Sequence, residues 1–162
     1  MRTMKNKKTL VLVLGVLVCL GVGFFSGFIT AESVETWYRT LNKPSFNPPS
    51  WIFAPVWTIL YIMMGLSAGI IYNKGIRREE VRLALRIFAA QLILNGLWTI
   101  FFFGFENPLM AFIEIIFLWI LILYTILKFY KISRKAAYLL IPYILWVTFA
   151  SVLNFSIWIL NM

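Results

Sequence analysis

Histidine and aspartate are absent from all 162 residues, and cysteine occurs once, at Cys19. Without imidazole there is no Ser–His or Cys–His nucleophile pair, no histidine general base, and no histidine ligand for zinc or haem iron. A metal centre is therefore not expected. A single cysteine forms no intramolecular disulfide, and inside an apolar run it behaves as a small hydrophobe. Charge is also scarce, at 13% of residues, whereas 62% are hydrophobic and 18% aromatic. Soluble domains average about 45–50% apolar and about 25% charged, so this composition excludes that class.

What is present is a series of long apolar runs. About 20 residues of helix cross the roughly 30 Å hydrocarbon layer of a bilayer. Five stretches meet that requirement: Thr9–Ala31, Trp51–Tyr72, Leu83–Phe105, Leu109–Leu127 and Ala136–Leu160. No linker divides domains and no internal repeat is visible, so residues 1–162 read as one domain. The expected fold is an all-α integral membrane protein with five transmembrane helices in a bundle.

The net charge of +9 takes its meaning from position. Thirteen of the fifteen basic residues precede the first span or lie around the second and fourth links, leaving Arg39 and Lys43 for the other side. Lys and Arg remain cytoplasmic, so the N-terminus is expected inside. The basic residues thus act as topology signals with secondary contacts to anionic lipid, and nucleic acid is not an expected partner. Basic residues before an apolar run also describe a signal peptide. Against cleavage, the run exceeds the usual 7–15 residues of such a segment. Moreover Gly15, Cys19, Gly23 and Gly27 form one small-residue stripe suited to close helix packing.

Between the first two spans lies a long link, Glu32 to Ser50, in which Pro44, Pro48 and Pro49 impose extended or turn geometry. A stiff, non-helical outer flap is expected there. Interleaved with the prolines are Trp37, Tyr38, Phe46 and Trp51, which an interfacial aromatic belt accounts for only in part. From Trp37 to Ala68 the residues read WYRTLNKPSFNPPSWIFAPVWTILYIMMGLSA. This long and specific pattern resembles the signature of the TspO/MBR family, the tryptophan-rich sensory proteins whose mitochondrial members are called translocator protein or peripheral-type benzodiazepine receptor. Gln91–Gly104 and Pro142–Trp158 are similar to the family's third and fifth helices.

Polar residues recur within the spans at helical spacing: Gln91, Asn95 and Trp98 on the third, Glu114 on the fourth, and Trp146, Ala150 and Asn154 on the fifth. A carboxylate at the bilayer centre costs at least about 2.5 kcal/mol, so these groups should face the bundle interior. An aromatic-walled cavity roofed by the flap is one outcome, and hydrogen-bonded packing between helices is the other. Pro142 is expected to kink the fifth helix. Trp119 and Trp158 read as lipid-facing or interfacial, Phe101–Phe103 as packing, and Glu114 as a structural carboxyl more than a proton relay.

The resemblance implies a receptor or sensor for porphyrins such as protoporphyrin IX and haem, and for similar flat hydrophobic molecules. It places the ligand-contacting positions on Trp51, Tyr61, Asn95, Trp98, Trp146, Ala150 and Asn154. No obligatory cofactor is implied; porphyrin or haem is the ligand. A second reading is a light- and oxygen-dependent porphyrin-degrading enzyme, with Trp51 and Trp146 as its reacting indoles. A third is transport of tetrapyrroles or other small amphipathic molecules, although no inverted repeat is present. The family's sterol-recognition pattern is incomplete, since Phe155 replaces its tyrosine and residues 159–162 contain no basic group. The resemblance further implies a bacterial plasma membrane and a homodimer, for which the stripes Gly15/Cys19/Gly23/Gly27 and Gly65/Ala68/Gly69 offer candidate faces.

Overall fold

The computed structural model describes residues 2–162, with side chains from Asn6 onward. The helices are α1 (Arg2–Glu35), α2 (Trp37–Thr40), α3 (Phe53–Tyr72), α4 (Glu79–Thr99), α5 (Pro108–Ile132), α6 (Arg134–Leu139) and α7 (Ile141–Leu160). Among the described residues, five segments are long and apolar enough to cross a membrane: Asn6–Glu35, Ser50–Tyr72, Glu79–Gly104, Pro108–Ile132 and Arg134–Leu160. They match the five expected spans and extend beyond them where polar residues continue the helix.

The spans close into a ring. The first packs on the second, the second on the fifth, the fifth on the fourth, the fourth on the third, and the third returns to the first. Small residues set the first contact. A Cβ placed on Gly65 would overlap the backbone of Val16, and one on Gly23 would stand 2.6 Å from the Tyr61 ring. In a membrane, where apolar burial drives little association, such close approach supplies van der Waals contact instead. Most of the stripe positions expected to offer a dimer face are therefore occupied within one chain, whereas Gly27 is exposed with no described atom within 4 Å of an added Cβ. Gly15 lies on Gly65, Gly69 on Leu12, and Cys19 is 1% exposed.

The ends of the helices follow local chemistry. Asn107 caps α5, its Oδ1 accepting from the Met110 backbone N–H at 3.0 Å, and Pro108 occupies the first turn, where no donor is needed. Gly75, at φ +116°, makes the tight turn between the second and third spans. The fifth span breaks at Leu140, and Pro142 sits in the first turn of α7 instead of inside a kinked continuous helix. On the near side of the break, Ser67 Oγ donates to the Ala136 carbonyl at 2.7 Å, tying α6 to the second span.

The link between the first two spans is less irregular than expected. α1 runs through Glu35 and, after a break at Thr36, α2 adds another turn, so the long irregular stretch is confined to residues 41–49. The helix continues because nothing before Pro44 forbids it. Tyr38 Oη donates to Asn47 Oδ1 at 2.8 Å, and the flap is clasped to the end of α7. There Asn161 Oδ1 accepts from the Asn42 N–H, and Asn161 Nδ2 donates back to the Asn42 carbonyl, each at 2.9 Å. The opposite end carries the basic residues of the 72–86 and 128–135 segments, beside the start of the first span. There Asn73 Nδ2 donates to the Lys8 carbonyl at 3.1 Å. Arg2 and Lys5, also expected at this end, have side chains outside the described residues.

Candidate functional site: a chamber in the flap half of the bundle

The two halves of the bundle differ. Toward the basic end the interior is solid, with Met64, Ile71, Val81, Ala84, Phe129, Ala136 and Leu140 at 0–1% exposure. Toward the flap lies a chamber of about 720 Å³. Its floor is Leu20, Tyr61 and Asn95, its roof includes Val34, Glu35 and Tyr38, and its walls come from the first, second, third and fifth spans. Exposed residues of the first span (Phe24, Ala31) and the second (Ala54, Thr58) belong to the lining. The chamber is therefore open along the seam between those two helices.

Aromatic rings dominate the walls, and local geometry explains why they converge. Phe53, Trp57 and Tyr61 recur every fourth residue on one face of α3, with the Trp57 and Tyr61 rings 5.5 Å apart. The third span ends in a widened turn over Ile100–Gly104, in which Phe105 N–H reaches back to the Ile100 carbonyl at 2.8 Å. That turn stacks Phe102 on Trp98 at 5.1 Å. Trp146 on α7 meets Phe53 edge-on at 6.0 Å.

Polar groups in and below the floor form a chain across three helices. Tyr61 Oη donates to Asn95 Oδ1 at 2.5 Å, and Asn95 Nδ2 donates to Tyr143 Oη at 3.1 Å. Tyr143 Oη in turn donates to Gln91 Oε1 at 2.8 Å. On the wall, Trp98 Nε1 donates to Asn154 Oδ1 at 3.1 Å while Asn154 Nδ2 donates to the Pro108 carbonyl at 2.8 Å. The amides thus serve as interhelical bonds and as chamber lining together. Three groups here remain unspent among the described residues: the Ser26 hydroxyl and the Trp146 indole N–H in the lining, and the Gln91 Nε2 beneath the floor, are buried without a hydrogen-bond partner.

Of the seven residues singled out for ligand contact, six line this chamber: Tyr61, Asn95, Trp98, Trp146, Ala150 and Asn154. Trp51 does not. It lies in a single tight turn, Ser50–Ile52, that rotates its side chain outward to 74% exposure, while its neighbours Ser50 and Phe53 face the chamber. Sequence reading overlooked Phe53 and treated Phe102 and Phe103 as packing alone, although all three are lining residues. The i+4 spacing of Phe53 with Trp57 and Tyr61 was the available signal for the first; the widened turn left none for the others. Gln91 is buried beneath the floor. Glu114, 7% exposed, sits outside the lining with both oxygens unpartnered among the described residues. Trp119 and Trp158 are half-buried, the former donating to Thr148 Oγ1 at 2.8 Å and the latter stacked on Phe112 at 6.1 Å.

Residues 15–159 match the model of the TspO/MBR family. The chain belongs to that family. It is 46% identical over 156 residues to the tryptophan-rich protein TspO of Chlorobaculum tepidum, covering 96% of this chain and 99% of that one. Similarity extends to the tryptophan-rich sensory protein of Cereibacter sphaeroides, 38% identical with 78% of each chain covered. The human translocator protein is 32% identical, with 90% of this chain and 87% of that one covered. Membership makes this TspO/MBR protein a membrane sensor or translocator, consistent with its five spans.

Among the described residues the lining contains no histidine, cysteine or methionine, and the Tyr61 hydroxyl is bonded to Asn95. The described lining therefore offers ring contacts and shape, and no strong axial donor for an iron.

Proposed function

We propose that this TspO/MBR protein is a membrane receptor that binds porphyrins, including protoporphyrin IX and haem, and similar flat hydrophobic molecules within the chamber. The observation carrying this reading is an aromatic-walled void of about 720 Å³ in the flap half of the bundle. Its size falls within the roughly 300–1,000 Å³ typical of small-molecule sites. Indole and phenol rings offer a planar ligand large contact area with few rotors to freeze. The inside-positive bias then orients the flap toward the exterior of a bacterial plasma membrane. A homodimer, where formed, uses faces other than the Gly15–Gly65 contact, which is filled within the chain.

Titration of indole fluorescence with protoporphyrin IX in detergent micelles tests the reading. Trp98→Ala and Asn95→Leu should each weaken binding while the helical circular dichroism persists. Unchanged affinity in both would remove the chamber from consideration.

A second reading, light- and oxygen-dependent breakdown of the bound porphyrin, draws support from Trp146, whose unpartnered indole lines the chamber. Trp51, the other indole assigned to that chemistry, lies outside the lining, so Trp146→Phe is the informative variant. Bleaching under illumination that Trp146→Phe abolishes favours degradation, whereas quenching with stable pigment favours a receptor. Accumulation of porphyrin inside sealed vesicles would favour transport.

A further inference from the structure

The chamber treats its two ends unequally in charge. Toward the floor, Tyr61, Asn95, Trp98 and Asn154 are neutral and bonded to one another or to their neighbours. The Thr30 and Thr58 hydroxyls are spent on the carbonyls of Ser26 and Ala54. An acidic group carried down among them would lose hydration and meet no cation. At the roof the situation reverses. Glu35 is the one charged residue among the described residues of the lining, and its carboxylate is paired with the guanidinium of Arg39, which lies four residues on, just outside the lining, with Tyr38 between them facing the chamber.

The other basic residue of the flap is committed elsewhere. Lys43 Nζ donates to the carbonyls of Leu41 at 3.0 Å and Arg39 at 3.4 Å, and lies 4.8 Å from the centre of the Tyr38 ring. Arg39, by contrast, has an exchangeable partner. Its side chain is 69% exposed and that of Glu35 63%, and exposed pairs at i, i+4 are among the weakest ion pairs in proteins. A guanidinium presents a planar fork of donors that a second carboxylate can occupy on two atoms. Glu35 is free to turn into solvent when displaced.

Resting on the porphyrin-binding reading and deepening it, we propose that Arg39 reads an acidic group on the ligand, exchanging Glu35 for the ligand's carboxylate. The preferred ligand class is then a flat apolar ring with a carboxylate on one edge, seated with that edge toward the flap and the apolar edge toward Tyr61. Glu35 acts as the internal competitor that an uncharged ring does not need to displace.

The test compares protoporphyrin IX, which carries two carboxylates on one edge, with its dimethyl ester. Binding to the full chain in detergent micelles is followed by indole quenching. Arg39→Gln should weaken the acid about tenfold and leave the ester within about twofold, because only the acid uses the charge-assisted bonds. Arg39→Lys should restore part of the loss. Glu35→Gln should move the acid in the opposite direction, tightening it severalfold while leaving the ester unchanged. Equal effects of Arg39→Gln on acid and ester, no effect on either, or weaker acid binding in Glu35→Gln would each overturn the proposal. If neither compound binds the unaltered protein, the porphyrin reading itself falls. If both bind and Arg39→Gln leaves their ratio untouched, the role of Arg39 falls alone.

Discussion

Gly15 and Gly65 face each other across the first and second spans so closely that a Cβ on Gly15 would stand 2.6 Å from the Gly65 carbonyl oxygen. The contact lies on the basic-end side of Gly23, which in turn lies against the Tyr61 ring at the chamber floor. Backbone contact at one level of the bundle thus fixes where the aromatic floor lies at the next. The first span is otherwise largely exposed, with Phe24 at 81% and Phe28 at 77%, and these small residues are its main attachment.

Gly65→Val should therefore lower the thermal midpoint in detergent micelles. The added side chain meets backbone of the first span, which cannot yield as a side chain can, and overpacking of this kind costs about 1–3 kcal/mol. Gly21→Ala, with nothing within 4 Å, is the matched control and should be neutral or slightly stabilising.

The chain Tyr61–Asn95–Tyr143–Gln91 gives a prediction about coupling. Asn95→Leu deprives Tyr61 of its acceptor and Tyr143 of a donor, whereas Tyr61→Phe removes one bond and orphans only the Asn95 oxygen. The first should be more destabilising. A double-mutant cycle between the two should report about 0.6–2 kcal/mol, the range of interhelical hydrogen bonds in membranes. A coupling of zero would mean that the bond contributes nothing to the bundle.

The clasp between Asn42 and Asn161 holds the flap by two reciprocal bonds. Each is worth roughly 1 kcal/mol, so Asn161→Ala should raise cleavage of the 41–49 segment by added protease severalfold. The cleavage rate of the turn around Gly75, far from the clasp, should stay constant. Equal acceleration at both places would indicate general loosening.

The flap should also respond to alkaline pH. Burial is the main influence on Tyr38 and lifts its phenol above the ordinary value of 10.0, with the bond to Asn47 pulling the other way. A raised value means that the folded flap keeps its proton where a released flap would lose it. The stabilisation from Tyr38 is then complete below about pH 10 and is lost as the pH rises through the folded value. Proteolysis of the 41–49 segment should climb above about pH 10 in the unaltered protein and stay flat over the same window in Tyr38→Phe.

Much of this architecture was legible in the residues because a bilayer simplifies the code. Apolar runs of span length fixed the number of helices, and buried amides announced an interior that composition alone does not require. The ends of helices were harder to read, since Glu32–Glu35 and Lys128–Lys131 continue helices whose apolar signal has stopped. Prolines 44, 48 and 49 marked the irregular part of the flap but carried no information about the helical turn at Trp37–Thr40. Spacing found the small-residue stripes yet could not name their partner, because a face ready for close approach looks the same whether it meets another copy or its own chain. Trp51 shows the same limit at one residue: it belongs to the motif, and a single tight turn directs it away from the chamber its neighbours line.

The contrast between a solid half and a hollow half has a consequence for how long the molecule survives. On the proposed reading, the ligand completes an interior that the chain leaves unfinished, and at one hundred times its dissociation constant it adds about 2.7 kcal/mol to stability. Unfilled copies are then the ones that quality-control proteases capture first. Pigment supply would set the standing amount of the protein, making abundance itself a gauge of what the cell has in stock.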